Sequence, residues 1–356
     1  MKDFCLLRVK MKKLREGDYI ETKEGLLFHI KGVLHPKDRV IAFLRYFPTE
    51  KGERERKNRR FKKIYPLDKR YKYLKKNFPK YIFYSKKIRK KIQAVPLEDI
   101  KKIYRPQEKL EEIREKKNLT SIEEKVLNFS NKIVQISGID PHQIGVSGSI
   151  LVDLHKSDSD IDLVGYGEEA GWKIHSAIKK MRDKDTDIQP YDEENGLRIA
   201  KFRWERTELP LEILAKIEME KVLHGMVYGK DFFIRLVKDW PDIDSSYNDF
   251  EYSPKGVAKI EGLVSDDSDS IFTPNRYVLE ESQTLDGNHG KVENITSYRG
   301  RFSEQAVQGD KILAYGRIEE VTCRNRKFNR MLLGKPEEYL LPIRKNLKIP
   351  KQITEK

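Results

Sequence analysis

The pattern of apolar and polar positions divides the chain into regions with different periodicities. At residues 12–48, short runs rich in β-branched and aromatic residues are interrupted by turns that contain glycine. At residues 250–345, similar runs are separated by Gly and Asp/Ser-rich turns. Both patterns are typical of short strands. We therefore predict a small, strongly bent antiparallel sheet or barrel in the first region, and an all-β module of OB-like or other small-barrel type in the last. The strands expected in the last region are residues 257–264, 276–279, 312–321 and 331–333.

The middle of the chain alternates between strand-like and helix-like periods. Thr120 and Ser121 are followed three residues later by Glu123 and Glu124, a doubled capping-box signature of a helix start. Apolar residues then recur at helical spacing as far as Ile136. The further elements expected are strands at residues 144–147, 161–164, 197–204 and 209–214, a helix opening at 149–155, and helices at 171–181 and over most of 217–240. This alternation favours an α/β layer.

A chain of 356 residues is too long for one ordinary core, so we expect about two or three domains. The predicted fold class is a multidomain α+β protein, with a central α/β domain flanked by N-terminal and C-terminal small β-rich, barrel-like modules. The predicted boundaries are a basic β-rich N-terminal domain at residues 1–95, a helical linker at 96–118, the central domain at 119–248, and a C-terminal β-barrel-like domain with a basic tail at 249–356.

The charge and the cysteines narrow the functional classes. A formal net charge of +15 indicates attraction to polyanions such as nucleic acid, an acidic membrane surface or an acidic partner. Cys5 and Cys323 are far apart and no Cys/His cluster exists, so neither a disulfide framework nor a zinc site is expected. Residues 1–13 lack the apolar run of a signal peptide, and no stretch is long and apolar enough to span a bilayer. These features predict a cytoplasmic protein with no membrane partner.

The residues that point to chemistry lie between two predicted strands. Gly148-Ser149 closes the first strand and opens a helix, where a glycine lets the backbone approach a phosphate and the helix start offers free N–H groups. Asp160 and Asp162 lie at i and i+2 on the next strand, so both carboxylates point to one face. Two close carboxylates repel one another unless a cation lies between them. Mg²⁺ takes carboxylate and phosphate oxygens in such sites, and two metal ions can assist an in-line phosphoryl displacement.

These residues resemble a known signature. Gly148-Ser149 followed by residues 159–163 (Ser-Asp-Ile-Asp-Leu) looks like the motif of the DNA polymerase β-like nucleotidyltransferase superfamily. The fuller run at residues 145–167 is similar to an archaeal group of predicted nucleotidyltransferases, and so are the blocks at 39–46 and 229–238. The resemblance implies that the central domain has the polymerase β-like nucleotidyltransferase fold.

The resemblance also implies roles for individual residues. Gly148 and Ser149 are expected to bind the triphosphate of an NTP substrate, and Asp160 and Asp162 to bind Mg²⁺ or Mn²⁺. The superfamily usually has a third carboxylate on a neighbouring strand, and Glu212, a lone acid in the apolar run 209–214, is our first choice. It would hold a metal and accept or orient the proton of the attacking hydroxyl.

Several alternatives stay open around this site. Asp187 is the second choice for the third carboxylate, and an edge-strand acid facing solvent is the other interpretation of Glu212. The flanking residues Arg198, Lys201, Arg203 and Lys216 are either phosphate ligands or ordinary surface cations. A predicted helix carries four residues that contact a nucleotide or, for the aromatic ones, pack in the core: Tyr228, Phe232, Phe233 and Arg235.

A basic tract indicates the acceptor. From Lys51 to Lys91 the chain has 19 Lys or Arg and only three acidic residues, interleaved with Tyr and Phe. Cations neutralise phosphates and aromatic rings stack on bases, which favours nucleic acid and RNA over DNA. The alternative is a solvated basic face with core aromatics. The predicted reaction transfers a nucleoside monophosphate from an NTP to nucleic acid, RNA or a tRNA-like end, and releases pyrophosphate. Nucleotidylation of a small molecule or protein, and a non-catalytic RNA-binding protein, are the competing hypotheses.

Overall fold

The computed structural model describes residues 14–350 and Ile353, apart from residues 185, 205, 287, 288 and 348. The predictions about residues 1–13, Cys5 and the basic tail beyond 350 fall outside these residues. The described chain is a mixed α/β protein that divides into two compact units. The first comprises Met1–Ile174 with Phe232–Asn248, and the second His175–Asp231 with Asp249–Lys356. No described helix combines the length and the apolar character needed to cross a membrane.

The strands and α-helices lie between residues 19 and 342, and the unit boundaries at 174/175 and 231/232 each fall inside one of them, whereas the third boundary is at 248/249. The strands up to the first unit boundary are β1 Tyr19–Thr22, β2 Leu27–Ile30, β3 Arg39–Pro48, β4 Arg54–Arg56, β5 Arg59–Lys63, β6 Ile82–Ser85, β7 Lys90–Pro96, β8 Ile100–Tyr104, β9 Ile144–Val146 and β10 Ile161–Tyr166. The later strands are β11 Ile188–Gln189, β12 His224–Val227, β13 Lys230–Val237, β14 Phe250–Asp266, β15 Asn275–Thr284, β16 Val292–Ser297, β17 Lys311–Cys323, β18 Arg326–Leu333 and β19 Tyr339–Pro342. The α-helices are α1 Leu67–Asn77, α2 Pro106–Glu115, α3 Ser121–Ser137, α4 Gly148–Leu151, α5 Glu168–Lys184, α6 Glu193–Arg203 and α7 Leu211–Glu220.

The N-terminal region forms an eight-stranded sheet in the order β4-β5-β3-β2-β1-β8, with β7 also pairing β3 and β6 pairing β7. All of these pairs are antiparallel, which confirms the antiparallel sheet predicted at residues 12–48. Burial alternates along β3 because one face of the strand covers a core that includes Phe28, Leu44 and Leu74. The helical character predicted for the linker at residues 96–118 is wrong for β8, which pairs with β1, and correct for α2.

The central motif is built on β9, β10 and β13 of the first unit. Strand β10 pairs antiparallel with β9 and parallel with β13. Helix α3 precedes them and begins as predicted, with Thr120 as N-cap and Glu123 completing the capping box. It ends at Gly138, whose φ of 67° is left-handed. The strands predicted at 144–147 and 161–164 and the helix at 171–181 are confirmed.

Three predictions between residues 197 and 240 are wrong. The expected strands at 197–204 and 209–214 are helices α6 and α7, and most of the expected helix at 217–240 is strands β12 and β13. Buried positions on α7 recur at helical spacing. Tyr228 and Gly229, both with positive φ, turn the chain into β13. The buried positions of α7 are Ile213, Leu214, Ala215, Ile217 and Glu218.

The C-terminal strands close into a five-stranded barrel, as predicted for this region. Strand β14 pairs with β15 and β17, β15 continues to β16, and β18 joins β16 to β17. The β16–β18 pairing is parallel and the other four are antiparallel, while β19 adds to β17 outside the ring. The barrel interior shares one apolar core with α6 and α7, where the ring of Trp204 meets that of Phe302 edge-on at 5.2 Å. This core accounts for the helices at residues 193–220, because both bury one face against it.

Candidate active site

The Gly-Ser turn and the Asp pair meet in the first unit. Strands β9 and β10 place Val146 opposite Leu163, and the N–H of Ser147 donates to the carbonyl oxygen of Asp162 at 2.8 Å. Gly148 follows with φ of 64°, and a Cβ added there would lie 2.9 Å from Cγ of Asp162. Only glycine fits this position, because both the backbone conformation and the carboxylate exclude a side chain. The structure therefore brings together the two halves of the predicted motif.

Hydrogen bonds on both sides hold the turn. The hydroxyl of Ser147 donates to the carbonyl oxygen of Gly17 at 2.9 Å, which ties the turn to the N-terminal sheet. Ser149 is buried, and its carbonyl oxygen accepts from the N–H of Leu154 at 2.9 Å. Helix α4 has only four residues, so it is shorter than the helix expected at 149–155. The backbone of the turn, rather than a long helix, positions Ser149.

Asp162 lies on β10, and Asp160 lies immediately before the first residue of this strand, the fully buried Ile161. Asp160 is exposed and Asp162 is partly buried. Burial raises the pKa of Asp162 to about 7, and the negative charge of Asp160 adds to this rise. The pair therefore concentrates negative charge where water is partly excluded, an arrangement that a bound cation would stabilise.

Cations from three segments far apart in the sequence act electrostatically on Asp162. Lys63 of β5, Arg45 of β3 and Arg235 of β13 lower the pKa of Asp162 against the effect of burial. Arg235 lies opposite Val164 in the parallel β10–β13 register, and it also contacts Glu16 at 3.3 Å. Lys63 belongs to the basic tract predicted to bind nucleic acid, whereas Arg45 lies just before it. Sequence reasoning did not identify Arg45 as a site residue, because its segment reads only as an apolar strand.

The residues expected on a helix near the site have different positions. Phe232 is buried and packs edge-on against Phe129 at 5.1 Å, which confirms core packing for this ring. Phe233 lies opposite Asp162 in the β10–β13 register, and the guanidinium of Arg235 lies 5.3 Å from its ring centroid. Phe233 and Arg235 therefore lie on the strand that pairs with the strand of Asp162, not on the predicted helix. Tyr228 lies in the turn before that strand.

Glu212 lies in the first turn of α7 with its side chain exposed, so its expected place in a strand is wrong. Asp187 is exposed in the turn before β11. Within the part of the chain that the structure describes, no group of three or more His, Cys, Asp or Glu side chains is arranged to hold a metal ion. The identity of the third carboxylate stays a prediction, with Glu212 as the first choice and Asp187 as the second.

Two of the flanking cations have ion-pair partners in the second unit. Arg203 contacts the buried Glu218 at 2.5 Å, and Lys221 contacts the same carboxylate at 3.0 Å. Arg198 contacts Asp231 at 2.7 Å. These contacts give Arg203 and Arg198 structural partners. Lys201 and Lys216 are exposed.

Comparison with known proteins gives one informative relationship. The chain is 32% identical over 335 residues to the uncharacterized protein MJ1086 of Methanocaldococcus jannaschii, and the alignment covers 92% of this chain and 97% of that protein. No protein-family profile matches the chain, and no solved structure gives a significant match. Since the alignment spans nearly the full length of both sequences, the relationship is not confined to one segment of the chain. The chain therefore belongs to the same family as this archaeal protein.

Proposed function

We propose that this protein is a metal-dependent nucleotidyltransferase that transfers a nucleoside monophosphate from an NTP to a nucleic-acid acceptor, RNA in particular. The observation that carries the proposal is the contact of Gly148 with Asp162, beside Asp160 and within reach of several cations. This arrangement agrees with the resemblance to polymerase β-like nucleotidyltransferases, and we assign the β9–β10–β13 region to that fold. We also propose the cytoplasm as its location, where Cys323, a free thiol, would stay reduced.

The donor set suits Mg²⁺ or Mn²⁺. Asp160 and Asp162 offer hard carboxylate oxygens, and the close approach of Gly148 leaves the carboxylate of Asp162 uncovered by any side chain at that position. Mg²⁺ is commonly held by one or two carboxylates and completes its coordination with water and substrate phosphates. Two carboxylates are therefore enough protein ligands for such a site. When bound, the metal would stabilise the charge that develops on the reacting phosphate.

The chain's own residues orient the substrates. The turn at Gly148 and Ser149 lies where a phosphate can approach the backbone, next to the acid pair. In the transfer, the acceptor hydroxyl oxygen bonds to the α-phosphorus while the bond from this phosphorus to the bridging oxygen breaks. Pyrophosphate leaves with the bonding electrons, and the hydroxyl proton passes to a carboxylate or to water. Positioning and neutralisation of charge account for most of the catalysis in such a reaction.

The basic tract supports nucleic acid as the acceptor. Its aromatic rings differ in exposure: Phe61 and Tyr81 are buried in the core, while Tyr65 and Tyr84 are 42% and 56% exposed. Helix α1 presents the exposed Lys69, which is followed by further exposed lysines at helical spacing. Exposed rings among cations suit stacking on unpaired bases. The C-terminal strands close into a five-stranded barrel, and small barrels of OB type bind oligonucleotides, which supports RNA by analogy of fold.

The test is incorporation of labelled nucleotide. Purified protein is incubated with Mg²⁺ or Mn²⁺, each labelled NTP in turn, and total cellular RNA, beside the Asp160→Ala/Asp162→Ala variant. Asp158→Ala is the matched control, because this exposed acid lies just before the pair. Label in RNA with the wild type and the control, but not with the double variant, supports the proposal. RNA retained on a filter without incorporation would indicate a non-catalytic binder. The absence of both incorporation and RNA retention would indicate a small-molecule or protein acceptor.

A further inference from the structure

Strand β3 contains a β-bulge at Arg45. Leu27 of β2 pairs with Tyr46, but the next residue, Phe28, pairs with Leu44, so Arg45 is an extra residue on β3. A bulge rotates the side chain of the extra residue away from the regular alternation of the strand. Without it, Arg45 and Tyr46 would point to opposite faces of the sheet.

The bulge brings Arg45 beside Lys63. Strand β5 pairs with the other edge of β3, and in this pairing Lys63 lies opposite Tyr46. The Cζ atom of Arg45 lies 4.7 Å from the ring centroid of Tyr65, and the Nζ atom of Lys63 lies 6.0 Å from the same centroid. The two cations therefore lie against one aromatic ring that is partly exposed to solvent.

This pair of like charges costs free energy in the absence of an anion. Both side chains are partly buried, and burial, together with the charge of Arg45, lowers the pKa of Lys63. For the described residues, no ion pair joins a carboxylate to either side-chain cation, and the carboxylate of Glu53 accepts only from the backbone N–H of Lys63, at 3.4 Å. The nearest acids in electrostatic terms are Asp160 and Asp162, which raise the pKa of Lys63 against these effects. A multivalent anion between the acid pair and Tyr65 would satisfy both cations.

We propose that Arg45 and Lys63 form the polyphosphate subsite, which holds the β- and γ-phosphates of the NTP and then the departing pyrophosphate. This inference rests on the proposed function and adds to it that the N-terminal sheet supplies the phosphate-binding cations. The guanidinium can bind two phosphate oxygens at once, and the ammonium adds a mobile point charge. Both would neutralise the charge that pyrophosphate gains as the bond to the α-phosphorus breaks.

The test measures binding of inorganic pyrophosphate and tripolyphosphate to the full-length protein by calorimetry, without metal. The Arg45→Ala/Lys63→Ala variant is compared with Lys23→Ala/Arg39→Ala, which removes one charge from the turn after β1 and one from the start of β3. We expect at least about tenfold weaker binding in the first variant, since hydrogen bonds to charged groups contribute at least that factor, and a change within about twofold in the second. If the first variant unfolds, the single variants Arg45→Gln and Lys63→Gln give the same comparison. Equal affinities of the wild type and the Arg45 and Lys63 variants would overturn the subsite.

Nucleotide transfer separates this inference from the proposed function. If the wild type transfers nucleotide and the Arg45→Ala/Lys63→Ala variant keeps an unchanged KM for NTP, the subsite is wrong and the function stands. If pyrophosphate binding depends on both cations but no acceptor is ever labelled, the subsite stands and the function is wrong. The Asp160→Ala/Asp162→Ala variant should bind pyrophosphate without metal at least as tightly as the wild type, because two repelling carboxylates are removed.

Discussion

Gly148 lies directly against the side chain of Asp162, which leaves no room for a side chain on the α-carbon of Gly148. A Cβ at this position would lie 2.9 Å from Cγ and 3.0 Å from Cβ of Asp162, distances that require one of the two residues to move. The main chain at Gly148 also has a φ of 64°, which other residues adopt with strain. The glycine thus fixes how near the turn comes to the acid pair.

We predict that Gly148→Ala lowers nucleotide transfer by about a hundredfold, because the new methyl group displaces Asp162 and small misplacements of reacting groups have effects of that size. The matched control is Gly138→Ala, where φ is 67° and nothing lies within 4 Å of the added Cβ. Both variants should lose about 1 kcal/mol of stability from backbone strain. Transfer rates and thermal unfolding separate the two effects, and equal transfer by both variants would contradict this account.

Replacement of Asp162 by Asn should have opposite effects on stability and activity. Since burial raises the pKa of this carboxyl to about 7, its charged form is destabilised in the folded protein at neutral pH. Asp162→Asn should therefore raise the free energy of unfolding at pH 7.5 without metal, while transfer falls at least about a hundredfold. Mg²⁺ should raise the thermal midpoint of the wild type and of Asp158→Asn, but not that of Asp162→Asn. A midpoint shift of equal size in all three proteins would place the metal elsewhere.

The second unit should lose stability as the pH falls from 6.5. Burial lowers the pKa of His224 to about 3, with Arg203 acting in the same direction, so between about 3 and 6.5 the unfolded chain binds a proton that the folded chain does not. The free energy of unfolding should therefore be highest above pH 6.5 and decrease as the pH falls toward 3. Urea unfolding at pH 7.5, 6 and 5 measures this slope. His224→Gln should reduce this slope, whereas His142→Gln, at an exposed position, should leave it unchanged.

The exposed lysines of α1 should contribute to RNA affinity. Lys69, Lys72 and Lys76 are exposed and lie at i, i+3 and i+7, on one face of the helix. Replacing all three by Glu should weaken RNA retention and reduce the slope of log K against log salt by about 2, if each lysine contacts one phosphate of a single strand. The control replaces three exposed lysines elsewhere in the first unit by Glu, namely Lys23, Lys102 and Lys117. Equal losses in both triple variants would indicate only a general effect of net charge.

Short-range sequence patterns were sufficient to predict many of the helices and strands. The capping box at Thr120 and Glu123 needs only residues three positions apart, and it predicted the start of α3. The alternation around Asp160 and Asp162 predicted β10, because its buried neighbours lie in the same short segment. The turn-bounded apolar runs of the last region likewise predicted strands of the C-terminal barrel.

Residues 197–240 show where such signals fail. Short apolar runs fit both a strand and one face of a helix, and only contact with the barrel core shows that α6 and α7 bury a helical face. Glu212 was interpreted as a strand acid for this reason. Gly229, which turns the chain with Tyr228, is the local residue that disfavours the helix predicted across this position.

The sequence alone determined the chemistry of the motif: a Gly-Ser turn, two Asp residues separated by a single residue, and strands on either side of the intervening loop. The tertiary structure decided which side chains surround it. Arg45, Lys63 and Arg235 come from β3, β5 and β13, and their effect on Asp162 follows from pairing between segments far apart in the chain. Local sequence does not encode such neighbours, because long-range strand pairing and a single bulge at Arg45 are selected by the packing of whole buried faces.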